Sequence, residues 1–163
     1  MIIAGCIRRP VRFVMYHKIY NLPLLNFVSR TARAIPIAGA GEDRALMQRA
    51  FDEVDSALQA GDVVCIFPEG RLTANGVMNK FKTGVERILE RSPVPVIPMC
   101  LYGLWGSAFS RHHGFIVWRI INGFRSRIDL TVSTPQPPQE ATAQVLQTQV
   151  ADMCAASARE RGY

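Results

Sequence analysis

The chain has 163 residues, of which 48% are hydrophobic and 20% charged, and its formal net charge is +6. This length suits one domain with a substantial core, and the composition is that of a folded protein, which excludes a disordered chain. The positive charge fits an anionic membrane surface or a phosphorylated substrate, whereas no nucleic-acid partner is expected, because there is no zinc-finger or helix-turn-helix pattern and no long Lys/Arg run.

The first predicted elements alternate between strand and helix. Residues 11–15 have the composition of a short strand, and residues 17–33 that of a helix interrupted by Pro23. Residues 34–39 form a second short apolar stretch that a glycine ends, which is typical of a strand. This beginning predicts a strand, a broken helix and a second strand.

The clearest predicted helix covers residues 44–60. Asp43 fits an N-cap and Gly61 fits a C-terminal stop. Apolar side chains recur at helical spacing between these two signals. The positions that form this stripe are Met47, Phe51, Val54 and Leu58.

The second half of the chain continues the alternation. Residues 62–67 predict a buried strand, because apolar residues follow one another almost without a polar one. A capping-box spacing predicts a helix over residues 83–90, and residues 94–103 predict a strand whose prolines suit a sheet edge or a bulge. Residues 127–135 predict a further strand and residues 139–161 a surface helix. The sequence therefore predicts a single α/β domain over residues 1–163, with a mainly parallel sheet flanked by helices.

The cysteines and the uncharged stretches bear on where the protein works. The four cysteines are scattered, with no CxxC pair and no histidine cluster, which predicts reduced thiols in a cytosolic protein and neither a disulfide framework nor a zinc site.

The first residues lack the pattern of a signal peptide. The longest uncharged stretch, residues 92–110, contains three prolines and two glycines, so we expect no membrane-spanning helix. A position against a membrane surface stays open.

The predicted strand over residues 62–67 ends in a chemically distinctive tip, "FPEGR". In open α/β sheets, ligands bind beyond the carboxyl ends of the strands, where this tip falls. Gly70 allows a tight turn, Arg71 offers a planar fork for a phosphate or carboxylate, and Glu69 can orient that Arg or accept a hydrogen bond from a hydroxyl. The alternative is a Glu–Arg surface pair after a bend that Pro68 introduces.

A second group of cations follows in "NKFKTGVER". Lys80 and Lys82 precede the predicted capped helix, whose first turn offers unpaired N–H groups and the positive end of the helix dipole. An Asn75-Gly76 turn signal lies between the two motifs and can fold Lys82 back towards Arg71. The alternative is that these lysines are solvated on an exposed loop.

No histidine stands in a catalytic pattern. His17 lies in a predicted helix and His112 and His113 lie in a predicted loop, and none has an Asp or Glu four or five residues later to orient it. No serine lies in a nucleophile-elbow pattern. An aromatic group in the same part of the chain as the last two histidines either packs under a long loop or contacts an acyl chain or the membrane interface. Its members are Tyr102, Trp105, Phe109, Phe115 and Trp118.

Three stretches, in this order and spacing, resemble the glycerophospholipid (lysophosphatidic acid) acyltransferase family. They are "VVCIFPEGRLT", "FKTGVERIL" and "VPVIPMCLYGLWGS". The form of the first is similar to the branch that acylates lysophospholipids such as 2-acylglycerophosphoethanolamine, which is often fused to a transporter domain. The resemblance runs over residues 2–138.

This resemblance implies transfer of a fatty acyl group from acyl-CoA or acyl carrier protein to a lysophospholipid hydroxyl, with no cofactor or metal. It implies a protein at the cytoplasmic face of a membrane, peripheral to it, with a fused or neighbouring transporter domain as a further partner. It assigns acceptor binding to the "FPEGR" tip and to two residues that follow it, and support of the site to residues 94–98. The implied acceptor-binding residues are Phe67, Pro68, Glu69, Gly70, Arg71, Lys82 and Gly84.

The chain departs from the family at the catalytic motif. The family uses a His-x4-Asp motif, in which the His activates the acceptor hydroxyl and the Asp orients the His, and no His here is followed by Asp at that spacing. The resemblance places this motif upstream of Met1, so we expect a truncated domain that is weakly active or inactive alone. Arg33 and Arg44 flank the family's Gly-to-Arg block without matching it.

The sequence bears on two other functions. A non-catalytic phospholipid- or anion-binding module derived from such an enzyme is the alternative that stays open. A nucleotide-binding α/β domain is disfavoured, because the sequence contains neither a GxGxxG nor a Walker loop.

Overall fold

The chain forms two compact units, of which the first comprises residues 1–70 and 82–94 and the second residues 71–81 and 95–163. The computed structural model describes residues 2–21, 29–39, 41–71, 77–103 and 128–160. That the units together make one acyltransferase-like domain stays a prediction.

A parallel sheet forms the centre of the first unit. Its elements are α1 (Ile2–Cys6), β1 (Val11–Tyr16), α2 (His17–Tyr20), β2 (Ile35–Ile37), α3 (Arg44–Gln59), β3 (Val63–Cys65) and α4 (Gly84–Arg91). The strand order is β2-β1-β3, and β1 is parallel to both neighbours. Phe13 lies opposite Cys65 and Tyr16 opposite Ile37. Because all three strands run the same way, their carboxyl ends lie along one edge of the sheet. The predicted α/β class with parallel pairing is confirmed.

Helix α3 closes one face of this sheet and is bounded by the predicted signals. The Asp43 carboxylate accepts a hydrogen bond from the backbone N–H of Leu46 at 2.8 Å, so Asp43 is the N-cap. Gly61 follows the helix with a φ of +79°, the left-handed conformation that favours glycine. Val54 of the predicted apolar stripe and the neighbouring Ala50 pack against Ile35, which is fully buried.

Ion pairs surround this apolar core. The Arg12 guanidinium pairs with the carboxylate of Glu53, and its Nε donates to the backbone oxygen of Arg33 at 3.0 Å. The Arg91 guanidinium, at the end of α4, lies 2.6 Å from an oxygen of Asp52 on α3. These contacts link β1 to α3 and α4 to α3, so charge as well as apolar burial holds the first unit together.

The second unit contains an antiparallel strand pair and a long helix. Its elements are β4 (Met99–Tyr102), β5 (Asp129–Val132) and α5 (Ala143–Glu160). Pro98 precedes β4 and accepts a hydrogen bond from the Ser133 N–H at 3.0 Å, and Val96 and Gln136 extend the ladder by a bridge. The predicted strands and the predicted C-terminal helix are present with shorter bounds. The prolines lie before β4, where no ladder N–H is needed from them.

The prediction of reduced cysteines is wrong for two of the four. Cys100 on β4 and Cys154 on α5 form a disulfide with a Cα–Cα distance of 5.8 Å across 54 residues of sequence. Sequence spacing could not show this pair, because only the packing of α5 on β4 brings the two side chains together. Cys6 and Cys65 are free thiols.

Several local predictions also differ from the structure. The helix predicted over residues 83–90 is present as α4, but Thr83 makes no side-chain capping hydrogen bond, so the predicted cap at Thr83 is wrong. The strand predicted over residues 62–67 is shorter and half-buried rather than buried; among the described residues, β3 pairs on one side only, with β1. Helix α1 was not predicted. The predicted helix over residues 17–33 contains α2, and residues 22–28 of it lie outside the described residues.

The sequence predicts no membrane-spanning helix, and the described helices can be compared with this prediction. Among the described residues, no helix combines the length and the apolar character that crossing a bilayer requires.

Candidate functional site

The candidate site begins where β3 ends. Beyond Cys65 the chain makes a turn in which the Gly70 N–H donates to the Phe67 oxygen at 3.0 Å. Gly70 has a φ of +63°, which L residues with a side chain rarely adopt, so the glycine predicted to permit a tight turn is needed for it. The Phe67 ring stacks on the buried Phe13 ring with centroids 6.5 Å apart and remains 54% exposed. The motif thus lies at the carboxyl edge of the parallel sheet.

Lys82 returns to this turn after the intervening segment. Its backbone N–H donates to the Pro68 oxygen at 2.8 Å. Its side chain lies against Gly70 so closely that a Cβ built on Gly70 would be 2.8 Å from the ammonium nitrogen Nζ. A side chain at position 70 would therefore displace the ammonium group. The structure brings two of the predicted site residues, Gly70 and Lys82, into contact.

Helix α4 starts two residues after Lys82. Gly84 is its first residue, and the Thr83 hydroxyl does not cap it. The first turn of a helix presents N–H groups and the positive end of the helix dipole, which favours anions nearby. A Cβ at Gly84 would meet no atom within 4 Å, so the structure shows no steric reason for glycine there.

Arg71 begins the second unit and is held by a residue that the sequence did not single out. Its Nε donates to the Asn79 side-chain oxygen at 2.8 Å, and Arg71 is exposed. Because Asn79 engages Nε, the two terminal guanidinium nitrogens stay outside this hydrogen bond. Glu69 lies half-buried in the turn, and Lys80 is exposed. Asn79 had no recognisable signal, since an Asn in a loop is typical of any turn.

The titratable side chains near the sheet edge do not form a catalytic pair within the described residues. The His17 ring lies 4.8 Å from the Tyr16 ring, and its Nδ1 is buried without a hydrogen-bond partner in the part of the chain that is described. His112 and His113 lie outside the described residues, as do all members of the aromatic group except Tyr102. Burial raises the pKa of the Cys65 thiol to about 11, so this thiol is protonated and a poor nucleophile at neutral pH.

A hydrogen-bonded carboxylate lies beyond the ends of β1 and β2. The Tyr16 hydroxyl donates to Glu42 at 2.7 Å, the Gly39 N–H donates to it at 3.3 Å, and the Lys18 ammonium lies 3.4 Å away. The hydrogen bond from Tyr16 is the main cause that lowers the pKa of Glu42 below its ordinary value. Across the described residues, no three His, Cys, Asp or Glu side chains are grouped so as to hold a metal ion.

Comparison with known proteins identifies the family. A family model described as Acyltransferase matches residues 1–102, which is more than half of the chain. The chain belongs to the acyltransferase family. The match includes every candidate site residue from Phe67 to Gly84, and it confirms the family resemblance of the sequence and the prediction of an acyltransferase by family.

A solved structure supports the same fold. The chain is similar to the crystal structure of the 1-acyl-sn-glycerophosphate (LPA) acyltransferase, PlsC, from Thermotoga maritima, with a TM-score of 0.62 and 18% sequence identity. The match covers 94% of this acyltransferase chain and 57% of the Thermotoga chain, so the chain spans little more than half of that protein's length. At this identity the likeness concerns the fold.

Proposed function

We propose that this acyltransferase chain binds the phosphate group of a lysophospholipid acceptor, of the 1-acylglycerol-3-phosphate or 2-acylglycerophosphoethanolamine type. The acceptor receives a fatty acyl group from a thioester donor, acyl-CoA or acyl carrier protein, without a cofactor or metal. The observation that carries this proposal is the contact of the Lys82 ammonium group with Gly70, at the carboxyl edge of the parallel sheet.

Electrostatics and geometry both favour an anion at this edge. Lys82 supplies a full positive charge, the start of α4 supplies a partial one, and Gly70, which has no side chain, leaves the space that the Lys82 ammonium group occupies. Parallel α/β sheets bind ligands beyond the carboxyl ends of their strands. A lysophospholipid phosphate is an anion whose charge matches this set of groups.

Arg71, in the second unit, is also proposed as an acceptor-binding residue, as the family resemblance implies. The hydrogen bond from its Nε to Asn79 fixes the plane of the guanidinium group. Two terminal nitrogens of a fixed guanidinium can donate in parallel to two phosphate oxygens, an arrangement about twice as strong as neutral hydrogen bonds. Arg cannot lose its charge at neutral pH, so this contact does not depend on ionisation.

The remaining motif residues contact other parts of the acceptor in this proposal. The Glu69 carboxylate accepts a hydrogen bond from a glycerol hydroxyl, and the rigid Pro68 fixes the turn in which Glu69 lies. The exposed Phe67 ring offers an apolar surface to the acyl chain. Gly84 contributes as the first residue of α4, and residues 94–98 support the site.

Catalysis by residues 1–163 alone is proposed to be weak or absent. The family's hydroxyl-activating His-x4-Asp pair is not found in this sequence, and His17 has no carboxylate partner within the described residues. Loss of a general base lowers a rate by roughly 10²–10⁴-fold. The net charge of +6 supports a position at an anionic membrane surface. The cytoplasmic face and a fused or neighbouring transporter domain are proposed only on the family resemblance of the sequence.

The experiment measures binding of lysophosphatidic acid by calorimetry to the wild-type chain and to Arg71→Ala. Loss of a charge-assisted hydrogen bond should weaken binding by about 1.5–3 kcal/mol, which is roughly 10- to 150-fold in Kd. The control Arg49→Ala removes the same charge from the exposed side of α3 and should change Kd little. An equal Kd for Arg71→Ala and wild type would remove Arg71 from the site.

Acyl transfer is measured on the same chain with acyl-CoA and with acyl carrier protein as donors. We expect transfer at least about 100-fold slower than by a family member that carries the His-x4-Asp pair. Transfer at the rate of such a member would show that the base lies within residues 1–163 and would contradict this part of the proposal.

A further inference from the structure

A disulfide and side-chain hydrogen bonds join helix α5 to strands β4 and β5 and to Ser133, which follows β5. The Cys100–Cys154 disulfide joins it covalently to β4. The Ser157 hydroxyl lies 3.0 Å from the Thr131 hydroxyl on β5, and the Gln149 amide donates to the Ser133 hydroxyl at 2.8 Å. These contacts make α5 and the strand pair one packed body.

The same helix reaches the segment that follows Arg71. The Gln147 side-chain oxygen accepts a hydrogen bond from the Phe81 backbone N–H at 3.0 Å, across 66 residues of sequence. Phe81 is 8% exposed, so an N–H left without this partner would be poorly compensated by water. Gln147 therefore fixes the backbone at Phe81.

Fixing Phe81 also restricts Asn79, which lies two residues earlier. Asn79 accepts the Arg71 Nε hydrogen bond at 2.8 Å and so sets the orientation of the guanidinium group. The contacts thus run from α5 through Gln147 to Phe81, along the backbone to Asn79, and from there to Arg71. All of these residues belong to the second unit.

Gln147 and Cys154 lie on one face of α5. They are seven residues apart, two helical turns, so their side chains project to the same side and are separated by roughly 10 Å along the helix axis. The disulfide therefore holds in place the face from which Gln147 reaches Phe81. Cys100, its other half, is 1% exposed.

We propose that Gln147 is a positioning residue for Arg71, and that the Cys100–Cys154 disulfide makes acceptor binding depend on the oxidation state of this pair. The inference rests on the proposed role of Arg71 in binding the acceptor phosphate. When a dithiol reduces the bridge, the S–S bond breaks, two S–H groups form on Cys100 and Cys154, and the dithiol is oxidised to its own disulfide. Helix α5 then keeps only its non-covalent contacts, and Asn79 orients Arg71 less firmly.

The test compares two glutamines of α5 that hold different neighbours. Gln147→Leu removes the acceptor for Phe81, whereas Gln149→Leu removes only the contact to Ser133. We expect Gln147→Leu to weaken lysophosphatidic acid binding about fivefold, the effect of one hydrogen bond, and Gln149→Leu to leave Kd within twofold of wild type. Gln147→Glu keeps a side-chain oxygen at this position and should restore most of the affinity.

The redox arm measures the same Kd with and without dithiothreitol. Reduction of the wild-type chain should weaken binding several-fold, Cys154→Ser should reproduce the reduced value, and dithiothreitol should have no further effect on that variant. Circular dichroism of each variant checks that α5 and the sheets persist.

Each outcome separates this inference from the proposed function. If Arg71→Ala weakens binding but Gln147→Leu does so no more than Gln149→Leu, or if reduction leaves Kd unchanged, the inference is overturned and the role of Arg71 stands. If Arg71→Ala itself has no effect, the proposed function fails at Arg71 and the inference fails with it.

Discussion

The two units of this acyltransferase chain are stabilised in different ways. Within the described residues, the first has three parallel strands, a buried cluster around Ile35 and ion pairs such as Arg91 with Asp52. The described part of the second has two antiparallel strands and α5, and a disulfide joins α5 to β4. A two-stranded ladder is marginal by itself, so it needs a packed helix and a covalent bond, whereas a parallel sheet depends on burial beneath its crossover helices. We therefore expect the units to respond to different perturbations.

The largest expected effect comes from breaking the covalent link. Cys154→Ser opens a loop of 54 residues and should lower the stability of the second unit by roughly 4 kcal/mol, on the chain-entropy account of disulfides. Hydrogen exchange measured by mass spectrometry should show faster exchange in β4, β5 and α5 and little change in α3. Cys6→Ser, at an exposed free thiol, serves as the control. Equal acceleration in both units would contradict the contrast drawn between them.

A slightly smaller effect should follow from opening the apolar core of the first unit. Ile35, the first residue of β2, is fully buried against Ala50 and Val54 of α3, so Ile35→Ala should lower the free energy of unfolding by about 3 kcal/mol through lost burial and a residual cavity. Urea denaturation measures this loss. Val145→Ala, at an exposed position of α5, should cost less than about 0.5 kcal/mol, and a comparable loss there would argue against the assigned core.

The N-cap of α3 should contribute less. Asp43→Ala removes the acceptor for the Leu46 N–H and should destabilise the first unit by about 1 kcal/mol. Asp43→Asn keeps a capping oxygen and should retain most of the stability. If both variants lose the same amount, charge rather than the capping hydrogen bond is responsible.

The smallest effect is a dependence on pH at Glu42. The Tyr16 hydrogen bond, partly opposed by burial, lowers the pKa of Glu42 in the folded state. A lowered folded pKa gives stability that is present above the unfolded pKa, about 4.3, and is lost as pH falls through the folded value. Tyr16→Phe should therefore be less stable than wild type at neutral pH, by a margin that shrinks below about pH 4. A margin independent of pH would show that only packing was changed.

Short-range signals in the sequence were sufficient where the structure depends on neighbours along the chain. Asp43 and Gly61 bound α3 as predicted, because a cap and a left-handed stop act within a few residues. The "FPEGR" turn was likewise recognisable, since Gly70 adopts the conformation that its motif requires. Thr83 shows where such short-range signals fail. Its spacing to Glu86 matches a capping box, but in the structure the Thr83 side chain makes no capping hydrogen bond.

Contacts between distant parts of the chain could not be read from the sequence. The Cys100–Cys154 bond and the Gln147–Phe81 hydrogen bond join residues 54 and 66 positions apart, and only the packing of α5 creates them. The approach of Lys82 to Gly70 was predicted in part from the sequence and required the structure for the rest. The Asn75-Gly76 turn signal, which lies outside the described residues, predicted that Lys82 folds back towards Arg71, whereas the 2.8 Å approach of its ammonium nitrogen to a Cβ built on Gly70 required the structure.

The most direct test of the central claim is the affinity of the chain for lysophosphatidic acid after Lys82→Gln, with Arg49→Gln as the control of equal charge change. If Lys82 binds the acceptor phosphate, its variant should bind at least about tenfold more weakly, while the Arg49 variant and the weak binding of uncharged monoacylglycerol stay unchanged. Equal affinities of the two variants for lysophosphatidic acid would contradict a phosphate site at the carboxyl edge of the sheet.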